Sequence, residues 1–424
     1  MPIQVYAFGS NGSGQLGIGH EEDTSTPTRC IFDEDHQEGQ QLEQQSVGGE
    51  AVIVAGGNHT IVLFKQHCHG SSGKVYAAGY NGDGRCGVSQ SSSSPTATAT
   101  TDDKLLHFRR VEIPPSLGGG GGGGGGGGRR DNMIKLVSAT WEASFLVSSS
   151  DTVYAMGTGL KGELGLGTLK TSACVPVPVV MPCSSGSTPS IKAISSGMGH
   201  TVVVLTNGFV YGWGASRKGQ LGPRLKGEKI VWSPERLVDV GISNVSDVAC
   251  GREFTVLCGD KGKGEFVILG SEDDNRWGVF DAPSQLSIKR TLISSPSTVL
   301  YLRFHHNMGG YSSISTSWNG IYVCLDDGKV VAWGRNDRGQ LLPSSYSDAP
   351  KWKRIAVGSE HGMGVLADGK TVVAFGWGEH GNCGSEVDDR GDVKEKCHIV
   401  MKEKDEVVGI AAGCATSWIV VVES

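Results

Sequence analysis

The sequence predicts an all-β protein that forms a single seven-bladed β-propeller over residues 1–424. Three observations support this prediction. A thirteen-residue glycine pattern occurs seven times, a second short motif alternates with it, and no segment has the periodicity of an amphipathic helix. Repeats of this kind are typical of architectures in which each unit is a small sheet that buries its faces against its neighbours.

The first motif is a short β-branched or aromatic strand followed by a glycine-rich loop. Its first copy reads Val-Tyr-Ala-Phe-Gly-Ser-Asn-Gly-Ser-Gly-Gln-Leu-Gly and runs from Val5 to Gly17. A decayed copy begins at Phe266 and keeps Gly270, Asn275 and Gly278, so that Gly278 is aligned with Gly17 of the first copy. The other copies begin at Val75, Val153, Val210, Val330 and Val372. We expect the glycine that ends each strand to allow a bend or a close backbone approach, where a Cβ would clash. In the clear copies these are Gly9, Gly79, Gly157, Gly214, Gly334 and Gly376.

The second motif is an apolar strand, then Gly-x-x-His or a variant of it, then another apolar strand. Its first copy reads Ile-Val-Ala-Gly-Gly-Asn-His-Thr-Ile-Val-Leu, from Ile53 to Leu63. Histidine ends the turn in three copies, as His59, His200 and His361. Because these histidines recur with the repeat, we expect buried imidazoles that hydrogen-bond the backbone between blades.

The two ends of the chain predict how the ring closes. The chain begins with a strand of the first motif and ends with strands of the second motif. The N-terminal strand is therefore expected to complete the last blade, which leaves no sheet edge open between the ends.

Unequal spacing between the repeats predicts insertions at about residues 31–50, 88–130 and 281–300. The first is acidic and rich in glutamine, and the second contains serine repeats and an uninterrupted glycine run from Gly118 to Gly128. Such segments bury too little apolar surface to offset the entropy of ordering them, so we expect flexible surface loops.

Composition and motifs exclude several classes of function. The net charge of −6 and the absence of a basic cluster argue against direct DNA binding, and no apolar run reaches the roughly 18 residues that span a membrane. Eleven cysteines without a C-x-x-C pair are typical of free thiols in a reducing compartment, so a cytoplasmic or nuclear location is expected. No paired set of metal ligands and no nucleophile or metalloprotease motif occurs, which predicts a protein without metal, cofactor or enzymatic activity.

The two alternating motifs together resemble the regulator-of-chromosome-condensation repeat family over essentially the whole chain. Within it, the opening stretch to Asp23 and the closing run from Gly358 to Val420 are similar to the fungal alpha-tubulin suppressor, or killer-toxin-insensitivity, branch. That resemblance implies a heterodimer with a small zinc-ribbon, iron-binding diphthamide-synthesis protein. It further implies an accessory role in Elongator-dependent modification of wobble uridine in tRNA and in diphthamide formation.

Candidate partner contacts are the residues at which the repeat imposes no residue type. Periodic residues build the scaffold, whereas irregular residues in loops more often serve a partner. The candidates are Trp141, Arg252, Glu253 and Glu360 in second-motif turns, and Trp377, Glu379 and His380 in the last first-motif loop. The alternative for each is a tryptophan packed within a blade or a solvated charge.

A second function from another class is guanine-nucleotide exchange on a Ran-type GTPase, the founding activity of the repeat family. In the family that activity is accompanied by a basic N-terminal tail that contacts chromatin. Here the first strand already begins at Val5, and the neighbouring loop Glu21-Glu22-Asp23 is acidic.

Overall fold

The described residues form seven antiparallel sheets, which are the blades of a propeller around a central channel. The structure is a computed structural model and describes residues 3–33, 50–65, 73–88, 103–114, 133–182, 189–271, 275–281, 283–284, 286–292, 298–304, 310–343 and 352–422. The first strand of each blade contacts the first strands of the neighbouring blades, so these seven strands surround the channel. The predicted fold class is confirmed.

Blades are numbered in chain order, and in blades 1 to 3 the strands are given from the channel outwards. Blade 1 contains β3 (Glu50–Ala55), β4 (His59–Lys65), β5 (Lys74–Tyr80) and β6 (Lys104–Arg110). Blade 2 contains β7 (Ile134–Ala139), β8 (Ala143–Ser148), β9 (Val153–Thr158) and β10 (Ser172–Val179). Blade 3 contains β11 (Ile191–Ser196), β12 (His200–Leu205), β13 (Val210–Ala215) and β14 (Ile230–Arg236).

The later blades vary more in strand number. Blade 4 contains β15 (Asp247–Cys250), β16 (Thr255–Cys258), β17 (Glu265–Gly270), β18 (Leu286–Leu292) and β19 (Thr298–Phe304). Blade 5 contains β20 (Tyr311–Thr316), β21 (Gly320–Leu325) and β22 (Val330–Gly334) among the described residues. Blade 6 contains β23 (Trp352–Val357), β24 (His361–Leu366), β25 (Thr371–Trp377) and β26 (Asp392–Lys402). Blade 7 combines β27 (Glu406–Ala412) and β28 (Thr416–Val422) with β1 (Ile3–Gly9) and β2 (Thr24–Arg29).

Blade 7 closes the ring with strands from both ends of the chain. β1 pairs antiparallel with β28 in an unbroken register from Ile3 opposite Val422 to Gly9 opposite Thr416. The buried side chains of Val5 and Phe8 enter apolar clusters on the two faces of this sheet. The predicted closure by the N-terminal strand is confirmed.

The second strands of the blades are almost entirely buried on both faces, because each blade packs between two others. This explains why they are runs of apolar residues and not alternations: all six residues of β12, His-Thr-Val-Val-Val-Leu, are buried. Large aromatic side chains fill the space between blades, and Trp213 and Trp418 are fully buried. The described helices are two short 3-10 turns, Pro223–Glu228 and Lys261–Lys263, and neither could cross a membrane.

Parts of two predicted insertions form strands. Within residues 88–130, Lys104–Arg110 forms the outer strand of blade 1, and within residues 281–300, β18 and part of β19 extend blade 4. In the first case Leu105 and Phe108 are buried, and they are the apolar positions of a short strand between low-complexity segments. The glycine run and residues 34–49 of the first insertion lie outside the described residues.

In the six clear copies, the glycine that ends the first-motif strand allows the backbone to approach the preceding turn. Gly79 has a φ of +106°, and a Cβ there would lie 2.7 Å from the Cα of His59. Its neighbour Tyr80 donates its backbone N–H to the carbonyl oxygen of Asn58 at 2.8 Å. Only glycine combines this conformation with this contact without strain.

The three recurring histidines clamp neighbouring blades together. The Nε2 atoms of His59, His200 and His361 lie 2.8, 2.9 and 3.0 Å from the hydroxyls of Ser144, Thr255 and Ser417, respectively, each in the next blade. The Thr255 and Ser417 hydroxyls donate to backbone carbonyls of Gln220 and Asn382 in the histidine's own blade. As expected, these imidazoles are buried and reach the next blade, but their Nε2 atoms contact a side-chain hydroxyl and not the backbone.

Candidate functional site

All seven candidate contact residues lie at the same end of the propeller, which we call the turn face. It carries the turns after the innermost strands and the loops after the third strands, and backbone hydrogen bonds such as Trp377 N–H to Glu360 C=O join these two sets. The turns also bond to one another around the channel, as Trp141 does to Met198 and Trp318 to Ser359. The turn face is therefore a hydrogen-bonded backbone platform from which irregular side chains project.

The loop after β25 forms an aromatic and charged cluster in blade 6. The indole N–H of Trp377 donates to the Glu379 carboxylate at 3.1 Å, and the His380 ring lies edge-on to the indole at 5.3 Å. The Arg338 guanidinium of blade 5 lies 5.8 Å from the centre of the same indole. His380 also contacts the Asp23 carboxylate at 2.7 Å, which connects this cluster to blade 7. We call these side chains the Trp377 cluster.

Glu360 contacts the Trp377 cluster through its backbone and is held by Arg335. Arg335 forms an ion pair with the half-buried Glu360 and a two-point contact with Asp337, at 2.6 and 2.9 Å. The hydrogen bond from Arg335 lowers the pKa of Asp337 to about 2, whereas burial raises the pKa of Glu360. Glu360 therefore orders its neighbours from a half-buried position, unlike the exposed Glu379.

Two tryptophans narrow the channel at the turn face. Trp141 of blade 2 and Trp318 of blade 5 are three blades apart, yet their ring centres are 5.6 Å apart with the planes tilted by 44°. Both occupy the turn position that holds Gly57 in blade 1, so the repeat requires no large side chain there. Trp141 thus packs against another residue of the same face and remains partly exposed.

Arg252 and Glu253 lie beside a cleft between blades 3, 4 and 5. Both side chains are exposed, and the Arg252 guanidinium lies 5.4 Å from the Trp318 ring centre. The cleft has a volume of about 230 Å³ and is also lined by Lys218, Arg276 and Trp277. The Trp277 ring centre is 5.3 Å from the Arg276 guanidinium and 4.3 Å from that of Arg335. We call this the basic cleft.

The structure thus separates the candidates into two groups. Glu360, Trp377, Glu379 and His380 adjoin one another in the Trp377 cluster, whereas Trp141, Arg252 and Glu253 lie around the channel and the basic cleft. Sequence reasoning did not select the remaining aromatic and basic residues of these groups, which are Trp277, Arg276, Arg335, Arg338 and Trp318. Trp277 lies in the decayed repeat, and glycine spacing alone assigns it to the wrong position of the repeat.

That register is set by Asn275. The Phe280 N–H donates to the Asn275 side chain at 2.9 Å, as the Leu16 N–H does to Asn11 in the first copy. Asn275 therefore corresponds to Asn11, and three additional residues precede it, Glu272 to Asp274, which lie outside the described residues. Trp277 consequently occupies the variable loop position that His380 occupies in blade 6.

Metal ligands and reactive thiols are not concentrated in the described parts of the chain. No group of three histidine, cysteine or carboxylate side chains there could hold a metal ion, and residues 66–72, with His67, Cys68 and His69, lie outside the description. The nine described cysteines are free thiols, and burial raises the pKa of Cys250 and Cys397 to about 12. Burial therefore disfavours the reactive thiolate form of Cys250 and Cys397.

Comparisons with known proteins agree with the architecture. The family model described as the RCC1-like domain matches residues 4–419. An RCC1 repeat-containing protein of Schizosaccharomyces pombe is 28% identical, over 99% of both chains. A mouse protein named secretion-regulating guanine nucleotide exchange factor is 23% identical, over 90% of this chain and 75% of its own length. The crystal structure of Prp20p from Saccharomyces cerevisiae superposes with a TM-score of 0.72 at 18% identity, over 100% of this chain and 92% of that one, which shows the shared fold.

Proposed function

The chain belongs to the RCC1-like domain family, and from that premise we propose that it is a non-catalytic scaffold whose turn face binds a small zinc-ribbon, iron-binding protein. Through this partner it supports Elongator-dependent modification of wobble uridine in tRNA and diphthamide synthesis, in the cytoplasm or nucleus. The partner is the one implied by the resemblance of the opening and closing stretches to the alpha-tubulin suppressor branch.

The observation that carries the proposal is the Trp377 cluster. A partly exposed indole, ordered by Glu379 and His380 and surrounded by charged groups, has the composition of an interface hot spot inside a polar rim. Nothing in the repeat requires a tryptophan here, since the equivalent positions hold Ser10, Thr158 and Ala215. A small partner docked on this cluster would span the seam between blades 6 and 7.

The test is capture of the purified zinc-ribbon protein by immobilised full-length chain. Trp377→Ala and Glu379→Lys are expected to weaken capture at least about tenfold, because alanine substitution of a hot-spot aromatic commonly costs about 2 kcal/mol or more. The matched control is Phe209→Ala at the opposite face, since Phe209 is also a partly exposed aromatic stacked on an arginine, Arg236, at 3.6 Å. Equal capture by the wild type and both cluster variants would remove this loop from the interface.

Guanine-nucleotide exchange is the second candidate function, and the similarity to the mouse exchange factor supports it. It predicts that the chain accelerates release of a labelled guanine nucleotide from a Ran-type GTPase. Accelerated release, together with no capture of the zinc-ribbon protein, would replace the first proposal with this one.

A further inference from the structure

The basic cleft differs from the Trp377 cluster in both charge and shape. Its charged lining residues are Lys218, Arg252, Arg276 and Glu253, three cations against one anion. Its volume of about 230 Å³ is below the roughly 300–1,000 Å³ of sites that enclose a small molecule. A cleft of this size suits one or two side chains of a larger ligand better than a cofactor.

Two of its guanidinium groups are exposed and lack a carboxylate partner among the residues that the structure describes. Arg252 and Arg276 form no salt bridge in that part of the chain, whereas Arg335 nearby is already paired with Glu360 and Asp337. Each exposed guanidinium lies against an indole, which restricts its motion and leaves N–H groups available for a planar acceptor. Less side-chain entropy is then lost when a carboxylate binds.

The cleft also has an apolar wall. Trp277 is partly exposed, and the largely buried Phe254 and Phe280 also line the cleft. Trp277 is itself held by Arg335, whose position is fixed by its two carboxylate partners. The site therefore offers an ordered aromatic surface beside two ordered cations.

Carboxylates near the cleft favour an acidic peptide over a polynucleotide as its anionic ligand. Glu253 lines it, and Glu360 and Asp337 lie behind Arg335. A polynucleotide needs a long track of cations, and its closely spaced phosphates would meet these carboxylates as well as the net charge of −6. A peptide can place one or two carboxylates and an apolar side chain at separate points.

We propose that the basic cleft binds an acidic peptide segment of a partner protein, with a carboxylate paired to Arg252 and Arg276 and an adjacent apolar side chain packed on Trp277. The inference rests on the proposed function only in that the turn face binds a protein. It does not depend on which protein that is, and it assigns the cleft a ligand separate from the Trp377 cluster.

The test is fluorescence anisotropy of the full-length chain with a fluorescein-labelled twelve-residue peptide of aspartate and glutamate around a central phenylalanine. We expect saturable binding that weakens as salt is raised. The double variant Arg252→Glu and Arg276→Glu should weaken it at least about tenfold, and Trp277→Ala by a smaller factor. The matched control is Arg236→Glu, which reverses an exposed arginine stacked on an aromatic ring at the opposite face. Circular-dichroism melts identify any variant that is misfolded.

Four outcomes would overturn the proposal: no saturable binding by the wild type, an equal loss in Arg236→Glu, equal binding of the asparagine and glutamine version of the peptide, or tighter binding of a single-stranded oligonucleotide. Because the assay contains no zinc-ribbon protein, its result is separate from that of the capture experiment. Peptide binding without capture would retain the cleft and reject the partner, and capture without peptide binding would do the reverse.

Discussion

Lowering the pH is expected to destabilise the propeller through its three inter-blade histidines. This loss should begin at a pH well above the range in which carboxylates are usually protonated. Burial lowers the pKa of His59 and His200 to about 3 and that of His361 to about 4. An unfolded histidine titrates near 6.5. Between these two pKa values the unfolded chain binds protons that the folded chain does not bind, so the free energy of unfolding falls as the pH drops below about 6.5.

The magnitude follows from the size of these shifts. At pH 5 each unfolded histidine is almost fully protonated and each clamp histidine is still neutral, so each position costs about 2 kcal/mol relative to pH 7.5. The three positions together cost about 6 kcal/mol, comparable with the total stability of about 5–15 kcal/mol that is typical of a folded protein. The depressed pKa of Asp337, about 2, adds its own loss only in the acid range below the ordinary aspartate value.

The assay is urea unfolding followed by tryptophan fluorescence at pH 7.5 and pH 5.0, with refolding to verify equilibrium. His200→Gln keeps a donor near Thr255 but no longer titrates, so the loss of unfolding free energy between the two pH values should shrink by about a third. His20→Gln, at an exposed position, is the control and should leave that loss in place. A stability that does not change between pH 7.5 and 5.0, or an undiminished loss in His200→Gln, would refute the assignment of these histidines as neutral clamps.

Two further changes test the ring itself. Deletion of residues 1–17 should lower the unfolding free energy by at least about 6 kcal/mol, because the buried Val5, Phe8 and Leu16 contribute about 2 kcal/mol each. Unchanged thermal melting would contradict closure through β1. Gly79→Ala should lower the free energy of unfolding in urea by about 2–4 kcal/mol, because of the positive φ and the contact with the His59 Cα. The control Gly12→Ala, with open space around it, should be nearly neutral. Similar values for the two variants would reject the close-approach argument.

The repeat made the fold predictable because its residues are imposed by local geometry. Gly79 must adopt a positive φ against a neighbouring turn, and each clamp histidine must reach a hydroxyl in the next blade, so both recur at fixed spacing. Ring closure was predictable for a related reason, since the end strands are complementary halves of one blade. Each of these inferences used only contacts within one blade or between adjacent blades.

Three features were not predictable, because composition and pattern do not carry them. The outer strand Lys104–Arg110 lies between low-complexity segments, and pairing with β5, together with burial of Leu105 and Phe108, selects a strand there. The approach of Trp141 to Trp318 depends on the two intervening blades, 3 and 4, and on the width of the channel. The register of the decayed repeat needed the hydrogen bond of Asn275, which the glycine spacing alone did not reveal.

The departures from the repeat are spatially concentrated, and this bears on what the turn face does. Blade 4 has both the additional residues before Asn275 and an additional outer strand, and it places Trp277 where the first repeat has Ser13. Blade 5 places Trp318 where blade 1 has Gly57. Large aromatic side chains that the scaffold does not require, left partly in water beside exposed guanidiniums, gain burial only when another surface covers them. The regular blades therefore form a support, and blades 4 to 6, together with Trp141 of blade 2, carry the side chains that distinguish this turn face from that of a uniform propeller.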